Sequence, residues 1–177
     1  FLDILPQEVL LAQTGIIGVP FPITCVKRAI PKLVKRLSET GGHGAAKGIL
    51  TTDLSSKEIA LSVELGGKKV TIAACAKGAG MVHPNMATML CFITTDARIA
   101  QAKFNRLLKQ TVEWTFNNLT VDGDMSTNDM VLALANGMSG VHVHGASDEA
   151  VFQQGLFEVC NRLCAKIAED GEGATKR

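Results

Sequence analysis

The sequence predicts a mixed α and β fold around one apolar core. Three observations carry that expectation. Residues 59–65 alternate apolar and polar side chains, and a Gly66-Gly67 pair then leads into a second strand-like run. Residues 89–93 form a short, fully apolar segment. Two longer stretches, 101–116 and 148–168, space their apolar residues by three and four, as an amphipathic helix does.

From the N-terminal side, the apolar run 9–11 ends at the turn Gln13-Thr14-Gly15, and Pro20 to Pro22 form a loop. Val26, Ile30, Leu33, Val34 and Leu37 then share one face of a helix over 26–37. Pro31 lies inside it and either kinks it or marks its true start, because proline has no N–H to give to the ladder. Gly41, Gly42 and Gly44 break it. Residues 59–65 and 70–75 are the arms of a hairpin, with Gly66-Gly67 supplying positive φ at the turn. The next strand covers 89–93, with Thr88 at its beginning. The helix over 101–116 turns Phe104, Leu107, Leu108 and Thr111 inward. The last helix carries Phe152, Leu156, Val159, Leu163 and Ile167 on its stripe, with Ser147 or Asp148 as cap and Gly171 just past its end.

Composition excludes several classes. With 177 residues and 46% hydrophobic content the chain suits one domain or a large piece of one, not a disordered segment. Eighteen basic residues against 17 acidic ones leave a net charge of +1, so neither nucleic acid nor an anionic membrane is expected as partner. No apolar run approaches the roughly 20 residues that span a bilayer. The five cysteines, Cys25, Cys75, Cys91, Cys160 and Cys164, are odd in number and irregularly spaced, which suits free thiols. Cys160 and Cys164 fall on one helix face without a companion histidine, so no metal is expected. The chain begins at Phe1, and residues 173–177 look like the opening of another element, so a fragment is expected.

The chemistry concentrates in Lys77-Gly78-Ala79-Gly80-Met81-Val82-His83-Pro84-Asn85-Met86-Ala87-Thr88-Met89-Leu90. Glycines and a proline make it a tight, irregular loop between two apolar strands. Thr88, at the junction of loop and strand, could attack the carbonyl of Ala87 and cut the chain. A threonine hydroxyl near neutral pH needs a base. Cleavage would supply one, because the new α-amine of Thr88, with an ordinary pKa of about 8, is covalently held beside the hydroxyl. Taken singly, Lys77 is an ordinary solvated lysine, Glu172 a surface residue near a helix end, and Thr14-Gly15 a common turn.

The segment ending in Pro84-Asn85-Met86-Ala87-Thr88-Met89-Leu90 resembles the cleavage signature of the ornithine acetyltransferase family, whose members cleave themselves between that Ala and Thr. Four more segments agree in order. Gln13-Thr14-Gly15-Ile16-Ile17-Gly18 resembles the family's oxyanion-hole turn, and Ile49-Leu50-Thr51-Thr52-Asp53 its substrate-binding segment. Val121-Asp122-Gly123-Asp124-Met125-Ser126-Thr127-Asn128-Asp129 and Asp170-Gly171-Glu172-Gly173-Ala174-Thr175-Lys176 resemble two later signatures. Met125 replaces a frequent threonine and Ala79 a frequent serine.

The resemblance implies a layered α-β-β-α sandwich, incomplete at both ends. It implies a single partial domain over 1–177, in which 1–87 ends an α-chain and 88–177 starts a β-chain. Thr88 would be the nucleophile, the Thr14 hydroxyl and the Gly15 N–H the oxyanion hole, and Ala87–Thr88 the cleaved bond. Thr51, Lys77, Thr88 and Glu172 would bind substrate, with Lys77 on a carboxylate and Glu172 on the ornithine ammonium. Strand alternation allows only one of Thr51 and Thr52 to face the site. The implied reaction is ping-pong transfer of acetyl from N-acetylornithine to glutamate in arginine biosynthesis. No cofactor is expected; some members also use acetyl-CoA as acetyl donor. The implied assembly is a heterotetramer of cleaved α and β chains, cytoplasmic, or in the mitochondrial matrix for a fungal source. Members are more than twice this length and carry further substrate-binding residues, including an asparagine, near their C-terminus. Two alternatives stay open: a self-processing aminopeptidase or amidohydrolase with an N-terminal nucleophile, and an inactive truncated homologue.

Two motifs lead elsewhere. Residues 41–48 look like a phosphate loop but lack its Gly-Lys-Ser/Thr ending. Residues 122–126 start like a calcium loop, yet Thr127 replaces its glycine and Ala133 its final glutamate, so a hydrogen-bonded turn near the site is expected instead.

Overall fold

A computed structural model describes residues 2–82, 89–124 and 126–175; Ala87 and Thr88, the proposed cleavage pair, and Met125 lie outside them. The fold is mixed α and β. A four-stranded sheet runs in the order β1 (Lys57–Leu65), β2 (Lys68–Lys77), β3 (Leu90–Thr95), β4 (Met130–Ala135). The first two pairs are antiparallel and β3–β4 is parallel, joined through α3 (Gln101–Trp114). Helix α4 (Gly145–Glu169) lies across β1 and β2 and beside α3. Helices α1 (Ile23–Lys35) and α2 (Gly42–Gly48) precede the sheet.

The hairpin follows the expected turn chemistry. Gly66 and Gly67 have φ of 55° and 75°, which a Cβ would disfavour at both central positions of this tight turn. The expected arms extend to Lys57 and Lys77, because the ladder continues past the alternating segment through Lys57 opposite Ala76. β4 has no counterpart among the elements predicted from the sequence. Met130–Ala135 is a continuous apolar run, and its pairing partner is the distant β3.

One face of the sheet carries the core. Val70, Ile72, Ala74 and Ala76 of β2, with Cys91 and Ile93 of β3, pack under the α4 stripe of Phe152, Leu156, Val159, Leu163 and Ile167. Phe104 of α3 meets Phe152 edge-on, with centroids 6.0 Å apart. Thr111 and Gln153 close the polar gap between α3 and α4: the Gln153 amide donates to the Leu107 carbonyl and the Thr111 hydroxyl. The thiols of Cys160 and Cys164 are pushed up to about 12 by burial, and burial drives Cys91 well above the usual thiol range. They are therefore protonated packing residues near neutral pH, poor nucleophiles in this environment.

Gly155 is where α4 approaches the hairpin most closely. An added Cβ would lie 2.5 Å from Val63 Cγ1 and 3.1 Å from Ile72 Cδ1. Helix propensity favours Ala over Gly by about 1 kcal/mol, but overpacking a filled core costs about 1–3 kcal/mol. Gly155→Ala should therefore destabilise the protein in a urea titration; a raised midpoint would show that the hairpin yields freely.

The first helix ends at Lys35, before the glycines expected to break it, and residues 42–48 then form α2, an element not predicted, in which Ala46 is 1% exposed. Two local expectations are corrected. α4 starts at Gly145, a turn before the expected cap, and the Asp148 carboxylate instead accepts the His144 N–H from inside the first turn. α1 runs through Pro31, starting earlier than expected at Ile23 behind Pro22, and none of its residues is buried. Its stripe is only partly covered: Val26 and Val34 are half-buried, while Ile30, Leu33 and Leu37 are exposed.

Candidate active site

The last residue of β2 sets the site. Lys77 is 2% exposed, which overturns its reading as a solvated lysine. Its Nζ lies 3.4 Å from the Thr51 hydroxyl, so Thr51 and not Thr52 is the threonine turned to Lys77. Burial pulls the Lys77 ammonium below the usual lysine range, while the carboxylates of Asp53 and Asp129 oppose that shift.

Behind this pair stands a buried ionic group. The Lys57 ammonium, 1% exposed, donates to Asp53 Oδ1 at 2.6 Å and to Asp170 Oδ2 at 2.5 Å. Asp53 also accepts the Gly78 N–H at 2.7 Å and the Thr51 N–H at 3.2 Å. Burial pushes the Asp53 carboxyl up, but Lys57 and these two N–H groups together hold it below the usual range. Asp170, just past the end of α4, accepts the N–H of Leu54 and Ser55. A buried ion pair adds little net stability, yet losing one partner costs about 3–5 kcal/mol. Its effect is to fix which segments meet.

The loop after β2 is pinned from the other side. Met81 takes φ of 51°, unusual for a side chain other than glycine. The Asp122 carboxylate holds it there by accepting the N–H of Met81 and, at 2.8 Å, that of Val82. Burial would raise the Asp122 carboxyl, but the N–H groups of Asp124, Val82 and Met81 hold it low. The Val82 carbonyl in turn accepts the Val121 N–H at 2.7 Å. The 122–129 segment is thus the hydrogen-bonded turn expected from its sequence, closed locally by Asn128 N–H to Ser126 Oγ.

Glu172 joins the same loop. Its N–H donates to the Ala79 carbonyl at 2.7 Å, and its carboxylate lies over Gly80, where a Cβ would come within 2.8 Å. On the far side of the loop, Asp129 Oδ1 accepts the Met89 N–H at 2.6 Å. Met89 directly follows Thr88 in the sequence, so Asp129 fixes the first described residue after the candidate nucleophile. Burial raises the Asp129 carboxyl, with the Met89 N–H and Lys77 opposing.

Thr51, Lys77 and Glu172 therefore gather around residues 77–80, at the start of the motif loop. Thr14 and Gly15 do not touch them. They line a separate cleft of about 490 Å³ formed by residues 13–22 with Thr127 and Asn128. The connection is through the chain, since Asn128 adjoins the Asp129 that holds Met89. Asp53, Asp122, Asp129 and Asp170 lie inside the quoted motifs, but their roles did not emerge from spacing. Lys57 lies outside every motif and carried no sequence signal, because a lysine opening a strand is ordinarily solvated.

Comparison with known proteins agrees with these motifs. The profile of the ArgJ family matches residues 1–177. The arginine biosynthesis bifunctional protein ArgJ of Bacillus anthracis is 50% identical over 172 residues, which cover 96% of this chain and 42% of that protein. The protein of the same name from Lactococcus lactis is 49% identical over 174 residues, 96% of this chain and 43% of that one. A crystal structure of the Bacillus halodurans ArgJ protein overlaps with a TM-score of 0.46 at 44% identity, covering 48% of this chain and 41% of that chain. The chain thus spans well under half the length of these curated relatives. With the family profile matched from end to end, this chain belongs to the ArgJ family.

Proposed function

We propose that this chain forms the central part of an acetyltransferase of arginine biosynthesis that moves the acetyl group of N-acetylornithine to glutamate. The observation that carries this reading is the buried Lys77 beside the Thr51 hydroxyl, at the mouth of the loop that leads to Thr88. The shared name of the relatives, arginine biosynthesis bifunctional protein, supports the pathway.

In this reading Thr88 Oγ first attacks the Ala87 carbonyl. The peptide bond to the Thr88 nitrogen breaks, and water hydrolyses the resulting ester, leaving Ala87 as a C-terminus and Thr88 with a free amine. Residues 1–87 then belong to one chain and 88–177 to another. In each turnover the Thr88 hydroxyl attacks the acetyl carbonyl while its own amine takes the proton. The Thr14 hydroxyl and Gly15 N–H receive the developing oxyanion. Ornithine leaves as the amine, taking up that proton. The glutamate amine then attacks the acetyl ester and Thr88 Oγ regains a hydrogen. Lys77 pairs with the α-carboxylate that both substrates share, and Glu172 receives the ornithine ammonium. Acetyl-CoA would serve as a second acetyl donor at the same Thr88.

The sheet supports a second layer. Cys75, Phe92 and Leu132 stand in register on the face away from α4, and Leu134 beside them is 57% exposed. A second β layer over that apolar face completes the proposed α-β-β-α sandwich. The proposed assembly is a cytoplasmic heterotetramer of the two cleaved chains. No helix among the described residues is long and apolar enough to cross a membrane.

The test is kinetic and covalent. Initial rates at several fixed glutamate concentrations should give parallel double-reciprocal lines. Mass spectrometry of the native protein mixed with N-acetylornithine alone should find one acetyl on the peptide that starts at Thr88. Intersecting lines with an unmodified peptide would mean direct transfer in a ternary complex. Hydrolysis of N-terminal amides without acetyl transfer would make the protein an aminopeptidase instead.

A further inference from the structure

Three candidate substrate contacts share one buried support. The Thr51 N–H and the Gly78 N–H, which follows Lys77, both end on Asp53. Glu172 lies two residues beyond Asp170, which holds the N–H groups of Leu54 and Ser55. A single side chain joins the two carboxylates: Lys57, whose Nζ contacts Asp53 Oδ1, Asp170 Oδ2 and, at 3.4 Å, the Ser55 carbonyl. These contacts cross 113 residues of sequence between Lys57 and Asp170. They tie the segment before β1 and the end of β2, already neighbours through the Lys57–Ala76 pairing, to the end of α4, which shares no ladder with either.

We propose that Lys57 is a positioning residue for substrate binding: its clamp on Asp53 and Asp170 sets Thr51 and Lys77 in place against Glu172. The inference rests on the acetyltransferase reading above. Lys57 itself faces no substrate, being 1% exposed and enclosed by its two carboxylates. A flexible loop such as 49–56 would lose ordering entropy on meeting a ligand; held by Asp53 and Asp170, it presents the Thr51 hydroxyl in advance. Lys77 is fixed at the same time, because the peptide that follows it is tied to the carboxylate that orients Thr51.

The chemistry distinguishes this role from plain packing. The proposed partners of Thr51 and Lys77 are the unreacting parts of the substrate, held alike in the ground and transition states. Misplacing them weakens binding without changing the acyl-transfer step. Loss of the outer partner that orients a metal ligand costs about 10- to 100-fold, and by that analogy KM for N-acetylornithine should rise about tenfold in Lys57→Met. The kcat of the cleaved enzyme should stay within about threefold, since the Thr14–Gly15 turn lies in a cleft apart from the clamp and the clamp supplies no group to the reacting atoms.

The experiment compares the native protein with Lys57→Met and Asp53→Asn, reading steady-state kinetics and amide hydrogen exchange. Asp53→Asn is the milder change: its amide oxygen still accepts one N–H but no longer attracts Lys57, so it decides the matter if Lys57→Met does not fold. Support is a raised KM with near-native kcat, together with faster exchange confined to 50–56 and 77–80. A lowered melting temperature with native KM, or exchange raised evenly through β1, β2 and α4, would overturn the proposal and leave Lys57 as a packing residue. A native protein without acetyl transfer would overturn the acetyltransferase reading; exchange confined to the two segments in the variants would still support the clamp.

Discussion

Thr88→Ala should leave the native protein as one uncut polypeptide with no acetyl transfer. The substitution removes the hydroxyl proposed to attack the Ala87 carbonyl, and with it the proposed nucleophile of every later turnover. An alanine methyl has no lone pair to form either ester. The effect should therefore be total, unlike the loss of a supporting group, which leaves residual rate. On a denaturing gel the native protein should give two bands that sum to the uncut chain, and the variant one. N-terminal sequencing of the second native band should begin at Thr88. A sequence beginning elsewhere would remove Thr88 from both roles. Asp129 offers a structural reason why cleavage should be confined to this bond, since it fixes the Met89 N–H and so the direction in which the chain enters β3.

Thr14→Ala should lower kcat about 100- to 1,000-fold while leaving KM for N-acetylornithine near its native value, because an oxyanion donor acts mainly once charge has developed. The Thr14–Gly15 turn lies in the cleft shared with Thr127 and Asn128, apart from Lys77 and Thr51. That separation sharpens the prediction. A group remote from the substrate's carboxylate anchor should not contribute to ground-state binding. A variant with raised KM and unchanged kcat would make Thr14 a binding residue. Gly15 would contribute a backbone N–H, so no side-chain replacement there tests the same idea as cleanly. Its position has open space around a Cβ, and Gly15→Ala should be tolerated far better than Thr14→Ala.

The sequence alone determined the features that depend on local periodicity and on short motifs. The α4 stripe was legible because spacings of three and four repeat over about four turns, from Phe152 to Ile167. The hairpin was legible because Gly66-Gly67 is a turn signal between alternating arms. Thr88, Thr14, Lys77 and Glu172 are proposed from motifs that resemble a family's signatures; the structure adds that Lys77 is buried beside the Thr51 hydroxyl. Only the tertiary structure decided the rest. β4 is an apolar run that becomes a strand by pairing with β3, a partner some forty residues away. α2 is helical despite three glycines because Ala46 is buried against the fold. Nothing near Lys57 in the sequence announces that it is buried, for charge is normally solvated and only its partners' positions make burial tolerable. Those partners, Asp53 and Asp170, stand four residues ahead of it and 113 residues beyond it, and folding alone brings both to one ammonium.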